Sequence, residues 1–561
     1  MLRRRRFVGL GLGMLASACT KSGSTTSPHA AGGPASLIVQ GRVLTLDPAR
    51  PSAEAVAVAG GRIIAVGSRD EIAAHRGPQT EIVDIGEGLV TPGLVDAHAH
   101  LHGLGRGLEE VDLRGAESVE AVVQRLREHD RGQPWLTGRG WDQNLWPGGA
   151  MPTHDVLTAA YPDRPVWLRR VDGHAGWANA AALKAAGIEP GRKSPEGGEI
   201  MVSVDGRPTG VLIDAAMGLM NPPKPTEADV RRQLDAAQKH VLERGLTGVH
   251  DMGVGPMLDG LYREAAGNDD LDARLKLRVW GYADSSWLPE LAPQRRADRP
   301  TAEDLYALVG VKVYADGALG SRGAALLSPY HDRPDHTGLM QRDPEALRAL
   351  YELAVTHGYQ IATHAIGDAA NRAVLDGYQA VIEANELEDS RLRVEHAQIL
   401  HPDDIPRFAE LGVIASMQPT HATSDMAWVP DRVGPQRVAG AYAWRRILDA
   451  KGHLCFGSDF PVELVDVTHG LYSAITRMDP KGQPSGGWTS DQVLTLEEAI
   501  AAFSRDAAYA GFSESYLGTI VEGARADFSC FRDDLRTLEP GQVRDAAVAA
   551  TIVDGIVRYR A

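Results

Sequence analysis

Val90-Thr91-Pro92-Gly93-Leu94-Val95-Asp96-Ala97-His98-Ala99-His100 is the stretch on which the fold turns. Its apolar run reads as a buried strand entered at Pro92-Gly93. Side chains at i and i+2 of a strand share a face, so His98 and His100 project together with Asp96 beneath them. That is how a strand offers two imidazoles to one metal ion. A lone His-x-His is also compatible with two satisfied histidines, and the decision rests on partners further along the chain.

Working outward, apolar strands alternate with amphipathic helical stretches, the pattern of a parallel β/α architecture. Candidate strands are 89–95, 248–252, 275–282, 308–314, 360–363, 392–395, 413–417 and 453–457, the eight that a (β/α)8 TIM barrel needs. The barrel is expected over 91–511. The interval 104–225 is too long for one strand-to-helix connection and carries strands of its own, so it reads as an insertion over the barrel mouth. Thr495 with Glu498 forms a capping-box pattern that starts a closing helix. Residues 36–90 and 512–561 show short alternating runs with Gly-rich turns, and neither piece is long enough to bury a core alone. They are expected to build one small β-sandwich from both chain ends.

The 561 residues include 61 glycines and carry a net charge of −16, which argues against a nucleic-acid partner and is neutral about a small-molecule substrate. Arg3 to Arg6 followed by the short apolar run 8–18 reads as an export signal of twin-arginine type. Leu15-Ala16-Ser17-Ala18-Cys19 resembles a lipobox, with Cys19 as the lipidated residue and Ala-x-Ala cleavage as the alternative. Residues 20–35 would be a flexible tether, the location periplasmic or membrane-anchored, and the lipid the sole membrane contact. A homo-oligomer is compatible with the sequence. Cys455 and Cys530 lie in separate apolar runs and read as buried free thiols.

His364, His396 and Asp459 end the fifth, sixth and eighth candidate strands. Barrel active sites sit at those ends, so these residues would converge with His98 and His100. Four imidazoles and a carboxylate suit a borderline ion such as Zn2+. Lys312 alternates with Val309, Val311 and Val313 and therefore points into the barrel. Desolvation lowers an amine's pKa, and the neutral amine can add CO2 to give an anionic carbamate able to bridge two metals. A salt bridge to Asp316 is the alternative.

The motifs 91–100, Gly140-Trp141-Asp142-Gln143, Asp172-Gly173-His174, Lys312 to Arg322, Thr363 to Asp368, Glu395-His396-Ala397-Gln398 and Gly457-Ser458-Asp459 together resemble the amidohydrolase superfamily. Within it they resemble the amidohydrolase family 3 branch that holds N-substituted formamide deformylase-like proteins. The resemblance implies a metal-dependent hydrolase that cleaves an amide or formamide C–N bond by attack of a metal-activated hydroxide. His98, His100 and Asp459 would hold one ion, His364 and His396 a second, and carbamylated Lys312 would bridge them. Asp459 would also act as the catalytic base and acid.

Trp135, Trp141, Trp146, Trp167 and Trp177 fall within the insertion, either as a wall for the substrate or as its own core. Trp141, His174, Arg322 and His421 are candidate substrate contacts. Two other functions remain in view. A mononuclear deaminase of the same superfamily is disfavoured because it needs no bridging lysine, and His364 is followed by Ala365-Ile366-Gly367-Asp368 without a nearby Glu. A non-catalytic surface lipoprotein would have no use for Asp459.

Overall fold

A computed structural model describes residues 34–170, 175–195 and 198–561. The export signal, Cys19, most of the tether and His174 lie outside the described residues.

Eight parallel strands form one sheet in sequence order: Leu94–Ala99, Leu246–Val254, Arg278–Asp284, Tyr306–Tyr314, Gln360–Ala365, Arg393–His396, Ile414–Met417 and His453–Phe456. The last meets the first just beyond the ladder, where Asp459 N–H donates to His98 O at 2.8 Å and His100 N–H to Phe460 O at 2.9 Å. Gly457 permits this closure: a Cβ there would lie 2.4 Å from the His98 nitrogen. The outer core packs the strands on helices such as Glu227–Leu242, Pro344–Thr356 and Asp368–Asn385. The inner core runs from Val95 and Ala97 through Trp280, Tyr282 and Cys455 to Ala507 and Ala510, so the helix Arg505–Ala510 plugs the barrel floor. Thr495 caps Leu496–Ala502 with the reciprocal Glu498 bonds that its sequence announces.

The first barrel strand corrects the sequence boundary of 89–95. Residues Glu81–Pro92 form a strand of a different sheet, and the barrel strand begins at Leu94. Cys530 pairs with Val90 and Ser529 with Thr91, which holds the run up to Pro92 in the outer sheet. Gly93 is the switch between the sheets, because a Cβ there would sit 2.4 Å from Thr247 Oγ1.

That other sheet has seven strands, in the order Ile556–Arg560, Val548–Val553, Phe528–Phe531, Glu81–Pro92, Leu37–Leu44, Ser52–Ala59 and Arg62–Gly67. Strands from both chain ends thus combine. The sheet curls until the segment leading into Phe528–Phe531 reaches the edge strand Arg62–Gly67, with Ala526 N–H donating to Gly61 O at 2.9 Å, and it wraps a core that includes Val39, Val56, Ile63, Phe528 and Ile552. The buried Arg278–Asp527 ion pair, at 2.7 Å, pins this sheet to the third barrel strand.

The insertion builds a six-stranded sheet from Val111–Asp112, Leu136–Trp141, Val166–Arg170, Ala175–Ala178, Gly198–Val202 and Pro208–Asp214. Trp141, Trp146 and Trp177 pack on one another in its core, with ring centroids 5.8–6.1 Å apart. Their Nε1 groups donate to Leu168 O, Ala116 O and Thr153 O. Trp141 is therefore a core residue of the insertion, fully buried, and not a wall for a substrate. A small subdomain uses its largest side chains to exclude water from itself.

Candidate metal centre

The ends of the first, fourth, fifth, sixth and eighth strands bring the sequence-derived ligand types to one place. His98, His396 and Asp459 are all buried, and each offers a ligand atom within 4.8 Å of the others. His98 Nε2 lies 3.6 Å from Asp459 Oδ1, and His100 Nε2 lies 3.1 Å from the same oxygen. The His364 ring is centred 4.6 Å from that of His396. Lys312, 1% exposed, reaches His98 Nε2 at 3.0 Å, while Val311 and Val313 face the outer core. Its salt bridge to Asp316 does not form. Asp316 accepts instead from the backbone N–H groups of Ile366, Gly367 and Ala325 at 2.8–3.0 Å, which fixes the loop after His364.

Three imidazoles are held from behind. His98 Nδ1 meets Glu395 Oε2 at 2.5 Å, His100 Nδ1 meets Met252 O at 2.9 Å, and His396 Nδ1 meets Gln418 Oε1 at 2.8 Å. Such partners orient a ligating imidazole and fix its tautomer. Asp96 ties the eighth strand to the first, accepting from Ser458 Oγ at 2.6 Å and from the His98 N–H at 3.1 Å. Glu395, Gln418 and Arg393 were not singled out from sequence. The signal was there for the first and last of them. Arg-Val-Glu in a strand covered on both faces puts two charges on one inner face, which is tolerable only as a pair.

Two of the six candidate ligands adopt the left-handed region, His396 at φ 74° and Asp459 at φ 61°. Each costs roughly 1–3 kcal/mol for a non-glycine residue and persists where the surroundings impose it. In an extended strand His396 would follow Val394 to the outer face; the left-handed turn brings it to the mouth.

Electrostatics keep three of the imidazoles neutral around the Asp459 anion, whereas at His100 burial is outweighed by the hydrogen bond and charge of Asp459, which raise the imidazole above its ordinary value. Burial, reinforced by the Lys312 charge, takes His98 down to about 4 and His364 to about 3. Burial also holds His396 well below its ordinary value. Burial would raise the Asp459 carboxyl, but His98, His100 and His396 outweigh it and keep it well below the usual range. Burial pushes Lys312 down to about 8, against the opposing pull of Glu395 and Asp459. The residues fit a divalent cation. Buried His364 Nε2 and His421 Nε2 have no hydrogen-bond partner among the described residues, and buried polar atoms left without one are costly.

His421 follows the seventh strand on the helix Pro419–Asp425. Its buried Nε2 is 3.8 Å from Asp459 Oδ2, so the structure brings it to the centre. Arg322 is engaged by Asp332, with Nη2 at 2.8 Å and Nε at 3.1 Å.

Residues 81–559 match the family described as "Amidohydrolase family" (Amidohydro_3). The chain belongs to the amidohydrolase family. Among curated relatives of this amidohydrolase, Protein LONG AFTER FAR-RED 3 of Arabidopsis thaliana is 36% identical over 88% of this chain and 86% of its own. N-substituted formamide deformylase of Arthrobacter pascens is 29% identical over 93% of this chain and 98% of its own. A metal-dependent hydrolase from Pyrococcus horikoshii OT3 superposes with a TM-score of 0.74 at 28% identity, covering 90% of this chain and 99% of that one. This amidohydrolase is thus a hydrolytic enzyme on a TIM-barrel fold.

Proposed function

We propose that this amidohydrolase hydrolyses the C–N bond of small amides or N-substituted formamides at a binuclear divalent site, with zinc as the metal and Lys312 carbamylated. The observation that carries the reading is Lys312 Nζ at 3.0 Å from His98 Nε2, on the inner face of the fourth strand, beside the cluster of His98, His396 and Asp459. An inward lysine among neutral imidazoles serves no apolar core, whereas a carbamate at its tip would supply the anion that two cations share. The likeness to the formamide deformylase supports the substrate class.

His98, His100 and Asp459 would hold one ion, and His364 and His396 the other. The chemistry that bound ions supply here is a water of lowered pKa and a polarised carbonyl. Asp459, kept ionised by the surrounding histidines, accepts the proton of the attacking water. The water oxygen bonds to the carbonyl carbon, the C–N bond breaks, and Asp459 returns the proton to the leaving nitrogen. The products are a carboxylate, formate for a formamide, and an amine. His421 Nε2, buried with no hydrogen-bond partner among the described residues, would hold the substrate oxygen.

The test is metal content per chain by plasma mass spectrometry, in wild type and Lys312→Ala, together with a screen of formamides for formate release. About two ions falling sharply in the variant, with partial recovery of activity by short carboxylic acids, is the expected result. One ion indifferent to the lysine, with ammonia as product, would put the mononuclear deaminase reading first.

A further inference from the structure

Beneath the candidate ligands lies a buried charge cluster that the hydrolytic reading does not use. Arg393, fully buried, reaches five strands from the barrel interior. Its Nε donates to Glu395 Oε1 at 2.8 Å and its Nη2 to Glu395 Oε2 at 3.1 Å. Nη2 also reaches Ala97 O at 2.6 Å and Ser416 Oγ at 2.9 Å. Nη1 donates to Tyr282 OH at 2.7 Å and to His250 Nδ1 at 2.5 Å. A guanidinium only donates, so His250 accepts at Nδ1. The one cation therefore anchors the backbone beside His98 and aims the carboxylate that touches the His98 ring.

We propose that Glu395, clamped by Arg393, is a positioning residue that fixes His98 as its Nδ1–H tautomer and leaves the Nε2 lone pair facing the metal centre. An ionised carboxylate only accepts, so the 2.5 Å contact at Nδ1 requires a proton on that nitrogen. The other side of the ring agrees. Lys312 Nζ stands 3.0 Å from Nε2, and an ammonium there can only donate. The opposite tautomer would set a lone pair against the carboxylate and an N–H against the amine, losing both bonds at once. Arg393 is what makes Glu395 dependable here, because a buried carboxylate without its cation is strongly disfavoured. The proposal rests on the metal-site reading only for its consequence; the tautomer itself belongs to the metal-free protein.

The first measurement is a long-range proton–nitrogen spectrum of metal-free wild-type protein labelled with 15N-histidine, His98 being assigned by loss of its signals in His98→Asn. A protonated Nδ1 and bare Nε2 is expected. An Nε2–H tautomer overturns the proposal. The second is zinc affinity by competition with a chromophoric chelator in Glu395→Asp, which keeps a charge for Arg393 and withdraws it from His98. Affinity is expected to fall about 10–100-fold, with near-UV circular dichroism unchanged and the His98 signals moved toward a tautomer mixture. Unchanged affinity and tautomer in that folded variant also overturn it. A wild-type protein that takes up no zinc would sink the metal-site reading instead, and the tautomer result would still stand.

Discussion

Asp459 draws the histidines of the site together, with His98, His100 and His421 all within 3.8 Å of its carboxylate. Removing its charge takes away both an anionic donor and the proton acceptor. Asp459→Asn is expected to lower kcat at least ~100-fold on any substrate the wild type is found to hydrolyse, with unchanged circular dichroism. Full turnover in that variant would assign the proton transfers elsewhere. At this scale the sequence was informative wherever one side chain sufficed. His98, His100, Lys312, His364, His396 and Asp459 were all named from strand ends and alternation. Gln418 was not, because a residue that acts through a neighbour's back nitrogen is recognised only when the neighbour is seen; Arg393-Val394-Glu395 announces a buried ion pair but not that it stands behind His98. The left-handed turns at His396 and Asp459 were equally illegible, since tertiary contacts impose them against local preference.

At the scale of elements, close approach and capping decide what holds. Gly457→Ala would drive a Cβ against the His98 nitrogen and Asp96 Oδ1 at 2.4 and 2.6 Å. Opening the seam between the eighth and first strands is expected to reduce bound metal per chain by mass spectrometry before it unfolds the protein. Thr495→Ala removes one side of the capping box and should cost ~1 kcal/mol in denaturant unfolding. Asp259, on the helix Pro256–Ala266, accepts from Arg295, Arg263 and Tyr306 at 2.8–3.2 Å. Burial would raise its carboxyl, but those three partners outweigh it and hold it below its ordinary value. A depressed carboxyl adds stability that is complete above the unfolded value near ~4 and is lost as pH falls through the lower folded value. Asp259→Asn should therefore lower stability by about 2 kcal/mol at pH 7. The gap to wild type, read as a difference in Tm, should narrow on going to pH 3. A constant gap would mean the residue acts by shape alone.

At the scale of the molecule, a buried ion pair, Arg278–Asp527, joins the barrel to the curled sheet. Arg278→Met would strand Asp527 in the interior, and a cost of about 3–5 kcal/mol is expected, read as a lower midpoint of a single calorimetric transition. We also propose, from the arginine-rich start of the chain, that the enzyme is exported folded. Replacing Arg4 and Arg5 by Lys should then leave mature protein in the cytoplasm, and undiminished export would favour the general secretory route. By itself the sequence determined the eight-strand alternation, the long interruption after the first strand, the pairing of the two chain ends and the family. Each of these is written in periodicity or in a motif, which are properties of neighbouring residues. Tertiary structure alone decided that Pro92-Gly93 divides two sheets, that Trp141 belongs to the insertion's core, and that Arg393 and Glu395 stand behind His98. Those outcomes depend on which strand, ring or charge arrives from elsewhere in the chain, and burial then makes the arrangement that satisfies every polar group the one that persists.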